Sequence, residues 1–197
     1  MAPPSTPSPA ARPRFLVVGC GGIGGIVAAH LFEQGHETVA LTRNAAIADA
    51  INDRGFVVRG DASPGTVPGR AVTRLVARDG KFDFVLLCTQ PPQVEDAARG
   101  VIDALAPDGR VICLQNGLCE ERIQHVAGLE RTVGAIVAWG ASMVEPGIYD
   151  RTSGGGFVLG RLDGRPDARL GELGRALEAI GPVSATENLA GARWSKL

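Results

Sequence analysis

The chain has no surplus of positive charge: 20 Lys and Arg stand against 21 Asp and Glu, for a formal net charge of −1. Nucleic acids and anionic lipid surfaces are held through phosphate charge, so the composition points to neither as a partner. Metal-ligand patterns are also missing. The four cysteines (Cys20, Cys88, Cys113, Cys119) show no C-x-x-C spacing, and the three histidines (His30, His36, His125) are scattered. Neither a zinc site nor a disulfide framework is expected from such spacing. Cys88 and Cys113 lie inside apolar runs and read as small buried hydrophobes in a reducing compartment. No stretch reaches the ~18 uninterrupted apolar residues of a membrane helix. Residues 1–13 are rich in Pro, Ala and Ser. They lack the apolar centre of a secretory signal and enough apolar surface to order themselves. The expectation is a cytoplasmic protein with a disordered leader.

What is present is an apolar fraction of 45% in 197 residues, ample for the core of one domain. Phe15 to Gly19 is a short apolar run ending in glycine, the mark of a buried parallel strand. Ile23, Ile26, Val27, Leu31 and Phe32 then recur at helical spacing and stop at Gly35. Thr38 to Thr42 reads as a second strand, and Asn44 as the cap of a helix carrying Ile47, Ala50 and Ile51, stopped at Gly55. Phe56 to Arg59 predicts a third strand, Gly60 to Gly69 a loop, and Val72 to Ala77 a peripheral strand. Phe82 to Cys88 is another buried run. A helical stripe from Val94 to Leu105, a Pro107-Asp-Gly109 turn and a strand from Val111 to Leu114 follow.

This alternation predicts a parallel, doubly wound α/β sheet. After Leu129 the pattern changes. Thr132 to Met143, Gly147 to Tyr149 and Phe157 to Leu159 read as strands of an antiparallel extension. Leu170, Leu173, Leu177 and Ile180 mark a helix stopped by Gly181-Pro182. Ser184-Ala-Thr-Glu187 has the form of a capping box for a last helix, which carries Leu189, Arg193, Trp194, Lys196 and Leu197.

Gly19-Cys20-Gly21-Gly22-Ile23-Gly24 matches G-x-G-x-x-G, placed after a strand and before an amphipathic helix. In that context the first glycine serves a tight turn, the second the approach of backbone to a pyrophosphate, and the third helix–strand packing. The helix N-terminus behind it offers free N–H groups and partial positive charge. An NAD-binding chain is expected to close its second strand with a carboxylate for the ribose 2′-hydroxyl. Here the residues are Leu41-Thr42-Arg43-Asn44. A guanidinium pairs with a 2′-phosphate and a carboxylate repels it, so Arg43 and the missing acid favour NADP(H) over NAD(H). A surface arginine opening a helix would look the same.

Together with Gln34-Gly35-His36-Glu37, Phe84-Val-Leu-Leu-Cys-Thr89, Leu114-Gln115-Asn116-Gly117 and Ala192-Arg-Trp194-Ser195-Lys196-Leu197, this pattern resembles the ketopantoate reductase family over residues 14–197. The resemblance implies a Rossmann-like NADP-binding domain over residues 14–185. Residues 186–197 would open a helical substrate domain that is absent from the chain. It also implies NADPH-dependent reduction of a 2-oxo acid, ketopantoate to pantoate in the pantothenate pathway, by a full-length enzyme that is a possible homodimer. By the same resemblance Lys196 is the catalytic cation beside the ketone oxygen, and Asn116 contacts cofactor ribose and substrate. Thr89 and Gln90 border the cofactor.

Two departures qualify this. The family's usual lysine after the fourth strand is replaced by Gln90, followed by Pro91-Pro92. An amide does not neutralise a carboxylate, so a related carbonyl substrate becomes an alternative to ketopantoate. With the helical domain missing, Lys196 near a chain end is poorly fixed, which implies a chain that binds cofactor but turns over little. Two other readings stay open: a non-catalytic dinucleotide-binding module, and an opine or 2-hydroxy acid dehydrogenase on the same scaffold.

Overall fold

The computed structural model describes residues 12–61 and 63–195. All four residues of the first strand, β1 (Phe15–Val18), are buried. Side chains alternate across a strand, so an all-apolar strand needs cover on both faces. Phe15 and Val17 join one apolar cluster, while Leu16 and Val18 join a second.

The remaining strands are β2 (Thr38–Leu41), β3 (Phe56–Gly60), β4 (Thr66–Val67), β5 (Ala71–Val72), β6 (Phe82–Leu87), β7 (Leu105–Cys113), β8 (Thr132–Val137), β9 (Gly140–Glu145), β10 (Ile148–Ser153), β11 (Phe157–Arg161) and β12 (Val183–Ala185). The helices are α1 (Gly22–Glu33), α2 (Ala45–Arg54), α3 (Val94–Val101), α4 (Glu120–Ala127), α5 (Ala168–Leu177) and α6 (Leu189–Trp194). The main sheet runs β12-β11-β8-β7-β6-β1-β2-β5. Only the β8–β11 pair is antiparallel. This is the doubly wound parallel sheet with an antiparallel extension that the sequence predicts. The order reverses beside β1, with β2 on one side and β6 on the other, and ligands of such sheets bind at that switch point.

Several local expectations are corrected. Phe56–Gly60 does not join the parallel sheet. It belongs to a second sheet of order β4-β3-β10-β9, where it pairs parallel with β10. Phe56 and Val58 are buried while Arg59 and Gly60 are exposed, so this strand has one covered face rather than two. The span Thr132 to Met143 is two strands, β8 and β9, placed in different sheets. The peripheral strand shrinks from 72–77 to Ala71–Val72, and a 3₁₀ turn at Ala77–Asp79 follows. The Val94–Leu105 helix ends at Val101, passes through a 3₁₀ turn, and Leu105 starts β7. Ser184 lies in β12, so the Ser184–Glu187 capping box does not form. Asn188 caps α6 instead, its side chain accepting from the Gly191 N–H at 2.9 Å.

The second sheet explains the unusual burial of α1. Gly24 to Leu31 are all buried, as expected of a helix covered all round. The Gly25 Cα lies against the Tyr149 ring, where an added Cβ would sit 2.1 Å from a ring carbon. No helix among the described residues is long and apolar enough to cross a membrane.

Candidate dinucleotide-binding groove

The groove is built from the C-terminal ends of adjacent parallel strands. Gly19 follows β1, Thr42 to Asn44 follow β2, Thr73 follows β5, and Cys88 to Gln90 follow β6. Ladder hydrogen bonds carry the register into these turns: the Gly19 N–H donates to the Leu41 carbonyl at 2.8 Å, and the Cys88 N–H to the Val18 carbonyl at 2.8 Å. The cavity between them is about 430 Å³ and is closed on its far side by Asp96, Ala97, Gly100 and Val101 of α3.

Each glycine of the turn has its own constraint. Gly19 has φ +98° and an added Cβ would meet the Cys88–Thr89 backbone at 3.0 Å. At Gly24 the Cβ would lie 1.8 Å from the Gly19 carbonyl oxygen, and at Gly22 it would lie 2.6 Å from the Ala141 carbonyl of β9. Gly21 differs. Its φ is −74°, open to any residue, and a Cβ there would meet nothing within 4 Å. The protein's own packing does not demand glycine at Gly21, whereas close approach of a pyrophosphate to the backbone does. Gly21 is also the N-cap of α1, whose free N–H groups suit an anion. These residues fit a dinucleotide.

Of the residues singled out from the sequence, Gly19, Gly21, Arg43, Thr89 and Gln90 line this groove together. Arg43 is exposed and takes no ion pair among the described residues. It stands directly before Asn44, whose side chain caps α2 by accepting from the Ala46 N–H at 3.0 Å, as the sequence predicts. Cys20, Gly22, Ile23 and Gly24 shape the turn from below. Cys20 is buried, and Ile23 packs against the main core. Asn116 lies on the exposed turn after β7, before Gly117 at φ +110°. Lys196 lies outside the described residues.

Sequence reasoning missed the groove's supports. Tyr149, fully buried and the chain's single tyrosine, donates from its hydroxyl to the Cys20 carbonyl at 3.1 Å and so braces the glycine turn from the second sheet. Gln115 donates from Nε2 to the Thr89 carbonyl at 3.0 Å, tying the turn after β7 to the turn after β6. Arg193 of α6 donates to the Gln115 carbonyl at 3.0 Å and pairs with Glu120, both side chains buried. Arg122 donates to the Pro91 carbonyl at 2.9 Å. A buried arginine aimed at a backbone carbonyl has no periodic signal in sequence. The solitary tyrosine was a signal that could have been followed.

The thiols beside the turn are chemically quiet. Burial pushes Cys20 up to about 12 and raises Cys88 as well. Among the described residues no group of three or more His, Cys, Asp or Glu is placed to hold a metal ion.

A Rossmann-like sheet with a glycine turn at its switch point defines a dinucleotide-binding domain of the oxidoreductase type. The family profile described as Ketopantoate reductase PanE/ApbA matches residues 15–164, and the chain belongs to this family. The 2-dehydropantoate 2-reductase of Mesorhizobium japonicum is 23% identical, over 93% of this chain and 63% of that protein. Among solved structures, 2-dehydropantoate 2-reductase from Geobacter metallireducens superposes with a TM-score of 0.83 at 26% identity, covering 93% of this chain and 61% of that one. A D-mandelate dehydrogenase solved with NADH has a TM-score of 0.78 at 20% identity, covering 93% and 58%. The chain spans 55 to 63% of the length of the curated relatives it matches.

Proposed function

We propose that this chain is the cofactor-binding portion of an NADPH-dependent reductase of a 2-oxo acid, either ketopantoate or a related substrate. The observation that carries the reading is the pairing of Gly21, open where nothing in the protein needs it open, with Arg43 at the mouth of the same groove. Gly19, Gly21 and the α1 N-terminus hold the pyrophosphate, and Arg43 pairs with the 2′-phosphate. Thr89 and Gln90 border the nicotinamide half, with Thr89 held by Gln115. When bound, the nicotinamide supplies a hydride to the ketone carbon.

Charge then gathers on the ketone oxygen, and a placed cationic donor stabilises it and delivers the proton. Lys196 is assigned that role, and Asn116 orients ribose and substrate. Arg193 precedes Lys196 by three residues and donates to the Gln115 carbonyl, which ties α6 to the turn that carries Asn116. The surface is free of any membrane or nucleic-acid requirement in this reading, the cell compartment is the cytoplasm, and the assembled enzyme is a homodimer.

A second reading, a 2-hydroxy acid dehydrogenase, is favoured by Gln90 where a lysine would neutralise the ketopantoate carboxylate. The likeness to D-mandelate dehydrogenase agrees with it. One experiment tests both: fluorescence titration of this chain with NADPH and NADH, then NADPH oxidation against a panel of 2-oxo acids for the full-length enzyme and its Lys196→Ala variant. NADH preferred over NADPH would overturn the cofactor assignment. Turnover unaffected by Lys196→Ala would remove the lysine from the chemistry.

A further inference from the structure

Glycine inside a helix destabilises it, because it gives up more backbone freedom on folding than any other residue. In α1 the fold requires it, since a Cβ at Gly24 or Gly25 would collide with the Gly19 carbonyl or the Tyr149 ring. Gly100, in the last turn of α3, is different. Among the described residues it is the one glycine within a helix whose Cβ would meet nothing within 4 Å. Its φ is not positive, so any residue could stand there without strain or collision. Yet Gly100 lines the groove at the ends of β1, β2 and β6. Gly21 shares both properties, an open Cβ position and a place in that groove.

The neighbours of Gly100 define what its space can take. Residues three and four apart on a helix share a face, so Asp96 and Ala97 border Gly100, and all three line the groove. Ala97, Gly100 and Val101 make this wall small and apolar, and Val18 and Leu41 line the groove from the strand ends. A slot with apolar walls suits a flat ring, whose faces it takes out of water. Asp96 is exposed at the rim and takes no ion pair or side-chain hydrogen bond among the described residues. Its carboxylate accepts hydrogen bonds and donates none.

We propose that the Ala97–Gly100–Val101 face of α3 takes the adenine ring of the cofactor, Gly100 giving clearance for the ring and Asp96 accepting from its exocyclic amino group. This rests on the dinucleotide reading of the groove and adds the base that the groove selects, an aminopurine over an oxopurine. The position follows from the cofactor's own bonds. The adenine is carried on the ribose carbon next to the one bearing the 2′-phosphate, so a phosphate on Arg43 brings the base into the cavity that Arg43 and α3 share. An oxopurine would turn an oxygen toward the Asp96 carboxylate, acceptor against acceptor.

The test titrates NADPH and its reduced hypoxanthine counterpart, in which oxygen replaces the amino group, by fluorescence. The proteins are the parent, Gly100→Ala, Gly100→Leu and Asp96→Ala, each also melted without ligand. Both Gly100 variants should melt above the parent by roughly 1–4 °C, because alanine and leucine are better helix formers. Gly100→Leu should nonetheless bind NADPH on the order of tenfold more weakly, its side chain occupying the place of the ring. The parent should prefer NADPH over the hypoxanthine form by about tenfold, the worth of a hydrogen bond to a charged group. Asp96→Ala should erase that preference. An acid in the first turn of α3 also suits the helix N-terminus, but a role confined to the helix would lower the affinity for both ligands equally.

Gly100→Leu binding NADPH as tightly as the parent would overturn the proposal, as would Gly100→Ala melting below it. So would a parent indifferent to the base, or equal losses for both ligands in Asp96→Ala. A parent that binds neither NADPH nor NADH overturns the dinucleotide reading together with this inference. A parent that binds NADPH but fails any of these comparisons overturns this inference alone.

Discussion

Gly21 separates the demands of a ligand from those of the fold. Replacing Gly21 with Val puts the new Cβ into space with no atom within 4 Å, on a backbone with φ −74°. The cost to the protein is that of a poorer helix N-cap, below about 1 kcal/mol, which moves the melting temperature by no more than ~4 °C in a domain of this size. The cost to a bound pyrophosphate is far larger. The side chain would push the phosphates off the N–H groups of the turn. Losing two hydrogen bonds to a charged group, at about 1.5 kcal/mol each, weakens binding on the order of a hundredfold.

Gly24→Val is the control with the opposite signature. Its Cβ would fall 1.8 Å from the Gly19 carbonyl, so the backbone must move. Overpacking of this kind costs about 1–3 kcal/mol or more, and the variant should melt well below the parent. The assay is thermal unfolding together with NADPH fluorescence titration on both variants. Gly21→Val binding NADPH as tightly as the parent would refute the phosphate-cradle argument. A Gly21→Val chain that unfolds like Gly24→Val would refute the claim that the site is open.

Three further outcomes are expected. Arg43→Ala should weaken NADPH binding by about 1.5–3 kcal/mol while barely changing NADH, and equal losses in the same titrations would count against the 2′-phosphate assignment. Glu120→Ala leaves Arg193 buried without its counter-charge and should destabilise by about 3–5 kcal/mol in urea unfolding; a loss below 1 kcal/mol would mean the pair is open to solvent. His30 is buried with Nε2 unpartnered, and burial, with the Arg151 charge, pushes its pKa down to about 4. The unfolded chain takes up a proton near pH ~6.5 that the folded chain refuses, so stability is full above that value and falls as pH drops toward about 4. His30→Leu should flatten the dependence in that window, and an unchanged pH profile would exclude His30 as its source.

The sequence by itself determined the features whose physics is local. The run Phe15–Val18 had to be a strand covered on both faces, because every residue is apolar. The glycine turn could be placed because it needs only a strand before it and a helix behind. Asn44 and Gly55 bound α2 through a cap and a positive φ of +82° that concern their own neighbours. Arg43 was legible as a candidate because a missing carboxylate is visible in one residue.

Tertiary structure decided what depends on distant partners. A one-faced strand such as β3 records that one side is buried but not against which sheet, and its partner β10 lies some ninety residues further on. The same distance hid why Gly22 and Gly25 must be glycine. A Cβ at either position would collide with Ala141 or Tyr149 of the second sheet. It also hid the chain of contacts from Arg193 through Gln115 to Thr89. Hydrogen bonds between side chains on separate elements leave no period in the sequence, because their geometry exists only once the sheet has set the spacing of its turns.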